Sequence, residues 1–187
     1  MNKFNSLNED FAMTDFAEAY AIVDKYVEEH YGIVSTITDV LDPNTGDFNG
    51  SWIKVDYQLE AEPSLFVLLH LFGHTVQWNV SEEFRALGQE TTERATDEQL
   101  KRIYAYEKEA TQFSLQLLHE CNIFDLDRWV SDWWGADWRW LKHFYTTGEK
   151  LDQRDVMAWI KPGEAELLTP LPIPEFSPKG FVSRWSF

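Results

Sequence analysis

The 187-residue sequence predicts an α+β fold that is mostly helical, with a small β-sheet ahead of a central apolar helix. Three observations support this prediction. Apolar residues recur at helical spacing in several long segments. Two short β-branched or alternating stretches lie between the first helical segment and the second. Five prolines after residue 161 preclude regular helix over most of the C-terminal segment.

The first half of the chain is predicted to form one helix and two strands. Apolar residues at helical spacing indicate a helix over 9–31, and Gly32 is a natural stop. The β-branched segment 33–41 is typical of a strand, and residues 42–47 are typical of a turn. Residues 51–59 alternate, so we expect a second strand with one buried face, formed by Ile53, Val55, Tyr57 and Leu59.

The second half is predicted to be helical until residue 146. Pro63 and Ser64 open an apolar helix, residues 81–95 are polar and expected to be partly loop, and a long helix follows over 96–121. Its buried stripe keeps a 3-4-3-4 spacing. The members of this stripe are Ile103, Tyr106, Ala110, Phe113 and Leu117. A last helix over 126–146 carries five tryptophans in twelve positions.

Residues 162–187 combine the prolines with apolar side chains, which indicates an extended tail packed along the body. We expect Phe181, Val182, Trp185 and Phe187 to be buried against the Trp-rich helix, since their exposure would favour association. No linker or repeat interrupts the chain. We therefore predict a single domain over 1–187, with a core over 10–121, a Trp-rich helical region over 126–161 and the tail over 162–187.

The amino-acid composition limits the classes of molecule that the protein is expected to bind. Acidic residues outnumber basic ones by 32 to 16, giving a formal net charge of −16. Such a charge disfavours binding to nucleic acids or anionic membranes, because phosphate affinity depends on Lys and Arg. Cys121 is the single cysteine, so no disulfide can form within the chain. With no signal-peptide pattern and no apolar run of about 18 residues, the expected location is the cytoplasm.

The most informative motif lies in the apolar helix. His70 and His74 are one helical turn apart, so both imidazoles can reach one ion. Catalytic zinc sites are completed by a third protein ligand and keep one position open. In zinc peptidases the motif is H-E-x-x-H, and its glutamate activates the metal-bound water. Leu71 occupies that position here, so the sequence predicts a metal site without the usual catalytic base.

At a second segment the sequence resembles the gluzincin metallopeptidases, and in particular their ImmA/IrrE-type members. Those proteins contain a motif similar to H-E-x-G-H. A later helix contains a segment similar to E-x-E-A-x-x-F-A-x-x-L-L. Here residues 70–74 read His-Leu-Phe-Gly-His, and residues 107–118 read Glu-Lys-Glu-Ala-Thr-Gln-Phe-Ser-Leu-Gln-Leu-Leu. The resemblance covers roughly residues 10–120. It implies a zincin-like core in which His70, His74 and Glu107 hold a zinc ion, the expected cofactor.

Several alternatives stay open at this stage. Glu109 is the rival third ligand; two positions along a helix differ by about 200°, so only one of the two carboxylates can face an ion. Glu107 could instead be a solvated residue paired with Lys101 or Lys108. The two histidines could also be buried structural residues without a metal.

Other groups could replace the missing base or polarise a substrate. Glu60 and Glu62 precede the motif helix, and His119 and His143 lie on later helices. For each of them a surface or packing role is the more frequent one.

The tryptophans have two interpretations, packing or a groove for a peptide or sugar. Aromatic residues lie on two faces of the helix, and this favours packing between the body and the tail. One face carries Trp129, Trp133, Trp140 and Phe144, and the other carries Trp134, Trp138, Leu141 and Tyr145.

Three functional hypotheses follow. The first is a zinc-metallopeptidase-like protein that is catalytically impaired and acts by binding a metal, protein or peptide. The second is an active metallohydrolase that takes its base from elsewhere. The third is an acidic interaction protein without metal. None of the three is expected to bind nucleic acid or membranes.

Overall fold

The computed structural model describes residues 14–41, 44–90, 94–149 and 153–182. It has an α+β fold in which a three-stranded sheet precedes the main helices, as the sequence predicts. No helix within those ranges has the length and apolarity needed to cross a bilayer. The elements are α1 (Phe16–Tyr26), β1 (Val34–Thr38), β2 (Gly46–Phe48), β3 (Trp52–Asp56), α2 (Ala61–Val80), α3 (Glu82–Leu87), α4 (Asp97–Glu120) and α5 (Asp127–Thr147).

The first helix has well-defined ends. The Asp15 carboxylate accepts hydrogen bonds from two backbone N–H groups of the first turn of α1, which satisfies donors that the helix itself cannot. A five-residue π-helical turn, Val27–Tyr31, continues α1. Gly32 then ends the segment with a positive φ of 67°, as its sequence position predicts. The part of the predicted helix before residue 14 lies outside the described residues.

The sheet has the order β1-β3-β2, with β1 parallel and β2 antiparallel to β3. The three-residue strand β2 is too short to be seen in the sequence and falls within a segment predicted as turn. The predicted second strand over 51–59 is too long. The chain turns after Asp56, whose carboxylate accepts the backbone N–H of Gln58, and Tyr57 is therefore 59% exposed instead of buried.

Helix α2 lies at the centre of the core. It packs against α1, the sheet and α4, and most of its residues are buried on all sides. The predicted stripe of α4 faces it, and all five members of that stripe are buried. A capping box formed by Thr96 and Gln99 fixes the start of α4. The long helix at 96–121 is thus confirmed to within one residue at each end.

Helices α2 and α4 approach most closely at Gly73. A Cβ atom on Gly73 would lie 2.1 Å from the carbonyl oxygen of Ala110, which is well inside contact distance. Two hydrogen bonds join the helices beside this point. Ser114 Oγ donates to the Leu69 carbonyl, and Gln77 Nε2 donates to the Tyr106 carbonyl. A glycine is therefore required where these two backbones meet.

The tryptophans of α5 are mainly packing residues, as the sequence analysis favours. The indole N–H groups of Trp129 and Trp133 both donate to the Glu62 carboxylate at the start of α2. On the other face, Trp134 and Trp138 make edge contacts with Tyr104 of α4. The helix is thereby held to α2 on one side and to α4 on the other.

After a 3₁₀ helix at Gln153–Trp159, the chain runs without regular structure across several helices. The Leu168 backbone N–H donates to Ser131 of α5, and the Leu171 N–H donates to the Gln112 carbonyl of α4. Further along, Phe176 stacks on Tyr31. Residues 163–176 therefore pack along α5, α4 and the end of α1 in turn.

The expected burial of residue 182 is wrong, because Val182 is 91% exposed. Phe181 does pack on the body, but against Trp78 at the end of α2 and Arg85 of α3. Trp185 and Phe187 lie outside the described residues.

We predict that Gly73→Ala destabilises the domain although alanine is the better helix former. Helix propensity alone would stabilise by about 1 kcal/mol, whereas the contact with the Ala110 carbonyl forces α2 and α4 apart. The thermal midpoint measured by circular dichroism should fall by more than about 6 °C. Val80→Ala, at an exposed position of α2, is the control and should change it little. An unchanged midpoint for Gly73→Ala would contradict the close approach.

We predict that Phe181→Ala lowers the thermal midpoint while Val182→Ala does not. The Phe181 ring contacts Trp78 and Arg85, and losing a half-buried ring costs about 1–2 kcal/mol. For a domain of this size that corresponds to about 2–8 °C. Val182 is exposed and contributes no comparable burial. Equal midpoints for both variants would show that the contact of Phe181 does not stabilise the fold.

Candidate metal centre

Three side chains that the sequence predicts as metal ligands meet between α2 and α4. His74 Nε2 lies 3.0 Å from His70 Nε2 and 3.1 Å from Glu107 Oε2, and the third side of the triangle, His70 to Glu107, is 3.4 Å. His74 and Glu107 are each only 6% exposed. Within the described residues this is a group of ligand atoms that could hold one metal ion.

The helix contact described above sets this geometry. His70 and His74 lie one turn apart on α2, on either side of Gly73 in sequence. Glu107 lies one turn before Ala110 on α4, so the absence of a Cβ at residue 73 lets the carboxylate reach both imidazoles. Thr111 does not enter the triad, because its hydroxyl donates to the Glu107 carbonyl.

Gln77 fixes the tautomer of His74. Its Nε2 donates to two groups that can only accept, the Tyr106 carbonyl and the Glu109 carboxylate, at 2.8 and 2.9 Å. Its Oε1 therefore faces His74 and accepts from Nδ1–H at 2.9 Å. The lone pair of neutral His74 is then on Nε2 and points into the triad, which is the arrangement that metal-ligating histidines typically have.

The imidazole rings of His70 and His74 are held in place by different contacts. His74 is anchored by Gln77, whereas Nδ1 of His70 is buried and has no hydrogen-bond partner. His70 stacks instead on Phe66, one turn earlier in α2. Its ring is held by apolar contact and by the triad itself.

The charge state of the triad follows from burial and from Glu107. Burial, reinforced by the nearby His74, lowers the pKa of His70 to about 4, so this ring is neutral at pH 7. Burial acts to lower the pKa of His74 too, but the charge and hydrogen bond of Glu107 raise it above its usual value. Burial opposes ionisation of Glu107, yet the two histidines hold its pKa below the usual range. When His74 is neutral, three electron-pair donors surround a point that favours positive charge.

The separations fit a metal ion. Zinc–nitrogen and zinc–oxygen bonds are about 2.0–2.2 Å long, so neighbouring ligand atoms of a tetrahedral zinc are about 3.3–3.6 Å apart. The observed 3.0–3.4 Å fall at or slightly below that range. The donor set of two imidazoles and one carboxylate suits zinc and also ferrous iron.

Two members of the triad, His70 and Glu107, line a cavity of about 340 Å³ between α2, β2, α5 and the 3₁₀ helix. Most of the wall is apolar, and Leu71, Phe66, Trp133, Leu141, Val156 and Met157 belong to it. Leu71 also lines a second cavity together with Phe48 and Trp78, and it lies against Gly46, where an added Cβ would come within 2.6 Å of it.

Asp137 is a cavity residue that the sequence analysis missed. It lies on α5 one turn after Trp133 and one turn before Leu141, and all three line the cavity. Burial, and then the charge on Glu107, raises the pKa of Asp137 to about 8. Its Oδ2 atom is buried without a hydrogen-bond partner. A single aspartate in a Trp-rich helix carries no motif, so only the fold reveals its position.

The alternatives to Glu107 as third ligand are not supported by the geometry. Glu109 accepts a hydrogen bond from Gln77 and so helps to hold the side chain that orients His74. Lys108 pairs with Glu166 at 3.1 Å and not with Glu107. Lys101 is exposed, whereas Glu107 is buried, so the alternative of a solvated Glu107 is not supported.

Of the four residues considered as a substitute base or polarising group, Glu60 alone lines the cavity. Glu62 is held by the two tryptophan indoles. His119 pairs with Asp127 at 2.8 Å and His143 with Glu149 at 3.0 Å, both away from the triad. These three are therefore packing or surface residues.

Comparison with known proteins did not identify a relative of this chain. No protein-family model, curated protein or solved structure matches the chain. The gluzincin resemblance therefore stays a prediction from the two short motifs.

We predict that Gln77→Ala weakens metal binding about 10–100-fold, the usual effect of losing an outer partner of a metal ligand. The variant frees Nδ1 of His74 and lets its ring reorient. Gln116→Ala, on the far half of α4, is the matched control and should bind as the parent does. Competition with a chromogenic zinc chelator measures both affinities. Parent-like affinity for Gln77→Ala would show that Gln77 does not orient the histidine.

Proposed function

We propose that this protein is a zinc-binding, metallopeptidase-like protein that acts by binding a ligand at its metal centre and lacks ordinary peptidase activity. The observation that carries the proposal is the convergence of His70, His74 and Glu107 within 3.0–3.4 Å of one another. The residues that resemble the ligand positions of gluzincins are the same ones that meet in the fold.

A metal ion accounts for features that are otherwise costly. Burying polar atoms without partners costs free energy. Without an ion, the two Nε2 atoms and Glu107 Oε2 would have to be paired by protons held on the histidines, and burial disfavours the charged form of His70. A divalent cation would accept all three lone pairs at once. Gln77 also directs Nε2 of His74 toward His70 and Glu107, which is the orientation that a metal ligand needs.

Binding is favoured over hydrolysis because of Leu71. This side chain lines the cavity at the position where a peptidase of this type carries its glutamate. It can neither accept a proton from a metal-bound water nor hydrogen-bond it. General-base catalysis typically contributes about 10²–10⁴-fold to rate, so the loss of this residue removes much of the activity while leaving the ligands in place.

A peptide or protein segment is the ligand class that we favour. Strand β2 is an edge strand of the sheet, and Gly46 of this strand lines the cavity beside His70 and Leu71. An extended peptide can pair with such an edge while one of its groups reaches the metal centre. The acidic surface of the protein disfavours nucleic acid as the ligand.

We predict that protein purified without an affinity tag retains about one zinc ion per chain after zinc loading and gel filtration. Elemental analysis should find less than a tenth of that in His74→Ala and in Glu107→Gln, because each variant removes a ligand. His119→Ala and His143→Ala are matched controls outside the triad and should retain zinc. Retention of iron or manganese in preference to zinc would change the identity of the ion, and no retained metal would refute the proposal.

We predict no chelator-sensitive cleavage of casein or of a peptide library by the parent protein. Leu71→Glu should fold and bind zinc at least as well as the parent, because the residue already faces the cavity. Leu71→Gln is the control of equal shape without charge. Thermal midpoints with and without zinc test this.

Two outcomes would contradict these expectations. Robust metal-dependent cleavage by the parent would show that another residue acts as base. The second outcome is that Leu71→Glu fails to fold even with zinc while Leu71→Gln folds. This would show that Leu71 is an ordinary core residue and that the site does not derive from a peptidase active site.

A further inference from the structure

The cavity beside the metal centre contains a carboxyl group without a partner. Asp137 lines this cavity, its Oδ2 is buried, and neither a hydrogen bond nor an ion pair to Oδ2 is present among the described residues. A buried carboxylate is normally paired, because an unpaired one loses its hydration without compensation. Structural carboxylates of this protein follow that rule, as Asp132 does by pairing with Arg128 at 2.9 Å.

The surroundings of Asp137 show what could pair with it. The described residues that line the cavity include neither lysine nor arginine, while Glu60, Glu107 and Asp137 are all acidic. An anionic ligand would therefore find no positively charged side chain in the described lining. A cationic group would stabilise the ionised form of Asp137, with Trp133 one helical turn away.

The remaining wall defines the rest of the ligand. Apolar side chains from α2, α5 and the 3₁₀ helix surround the carboxyl group, so the body of the ligand is expected to be aliphatic or aromatic. A volume of about 340 Å³ holds a group of the size of one amino-acid residue or a little more. His70 and Glu107 of the triad line the same cavity.

From this arrangement we infer that Asp137 is a ligand-binding residue that recognises a primary amine. The ligand class is an amino-acid derivative or short peptide with a free amino group, an apolar side chain and a metal-binding carbonyl group. This inference rests on the proposed metal centre, since the triad supplies the second anchor. Asp137 fixes the amine, the triad binds the carbonyl group, and the apolar wall covers the body.

Two matched pairs of hydroxamates test the inference on zinc-loaded protein by isothermal titration calorimetry. L-leucine hydroxamate and 4-methylpentanohydroxamate differ only by an amine next to the metal-binding group. 6-Aminohexanohydroxamate and hexanohydroxamate differ by an amine at the far end of the chain. The pairs sample a near and a far position for the ammonium group.

We expect at least one amine to bind about tenfold more tightly than its partner, as a charge-assisted hydrogen bond in a dry site provides. Asp137→Asn should abolish that preference and leave the binding of the amine-free hydroxamate unchanged. Asp155→Asn, which removes the same charge from an exposed position of the 3₁₀ helix, should retain the preference. Asp137→Asn should fold, because the carboxyl group it replaces has no partner to lose at Oδ2.

The outcomes separate this inference from the proposed function. Zinc-dependent binding of all four hydroxamates without any preference for an amine overturns the role of Asp137 but retains the metal centre. A preference that persists in Asp137→Asn assigns the amine to another residue and also overturns it. If no hydroxamate binds in a zinc-dependent manner, the proposed function fails, and the inference fails with it.

Discussion

The close contact of α2 and α4 at Gly73 is the constraint on which the rest of the structure depends. It allows the Ala110 carbonyl to lie where any side chain at residue 73 would stand. The same approach buries the apolar face of α4 and brings Ser114 and Gln77 into hydrogen bonds across the interface. Because Glu107 lies one turn before Ala110, the contact that forms the core also forms the candidate metal centre.

The position of the candidate metal centre within the core has a consequence for the stability of the fold. A core of this size could be completed by apolar side chains at residues 70, 74 and 107, and removing a buried ionic group in favour of well-packed apolar residues is often neutral or stabilising. The chain instead holds two imidazoles and a carboxylate there and adds Gln77 to orient one of them. The polar groups are expensive as packing but suitable as ligands, and this contrast is the physical case for a binding site.

Features that depend on local sequence pattern could be predicted from the sequence, whereas features that depend on contacts between distant residues could not. Helix α4 was predictable because its buried stripe repeats at helical spacing, and the His70–His74 pair because one turn of helix fixes it. Spacing did not distinguish Glu107 from Glu109, since both flank the stripe. In the fold Glu107 lies beside both imidazoles, whereas Glu109 accepts a hydrogen bond from Gln77. Strand β2 and Asp137 were missed because each acquires its role from a partner distant in sequence.

The course of residues 163–181 over the helices has a consequence for folding kinetics. Loop-closure entropy opposes contacts between distant residues, so they tend to form late. His74 and Glu107 are separated by 33 residues, whereas Lys179 donates to Asn79 across 100 residues and Thr14 meets Asp125 across 111. We therefore expect the contact between α2 and α4 to form before the contacts of Lys179 and Thr14. The sequence separation within the ligand triad thus places it among the contacts that form early.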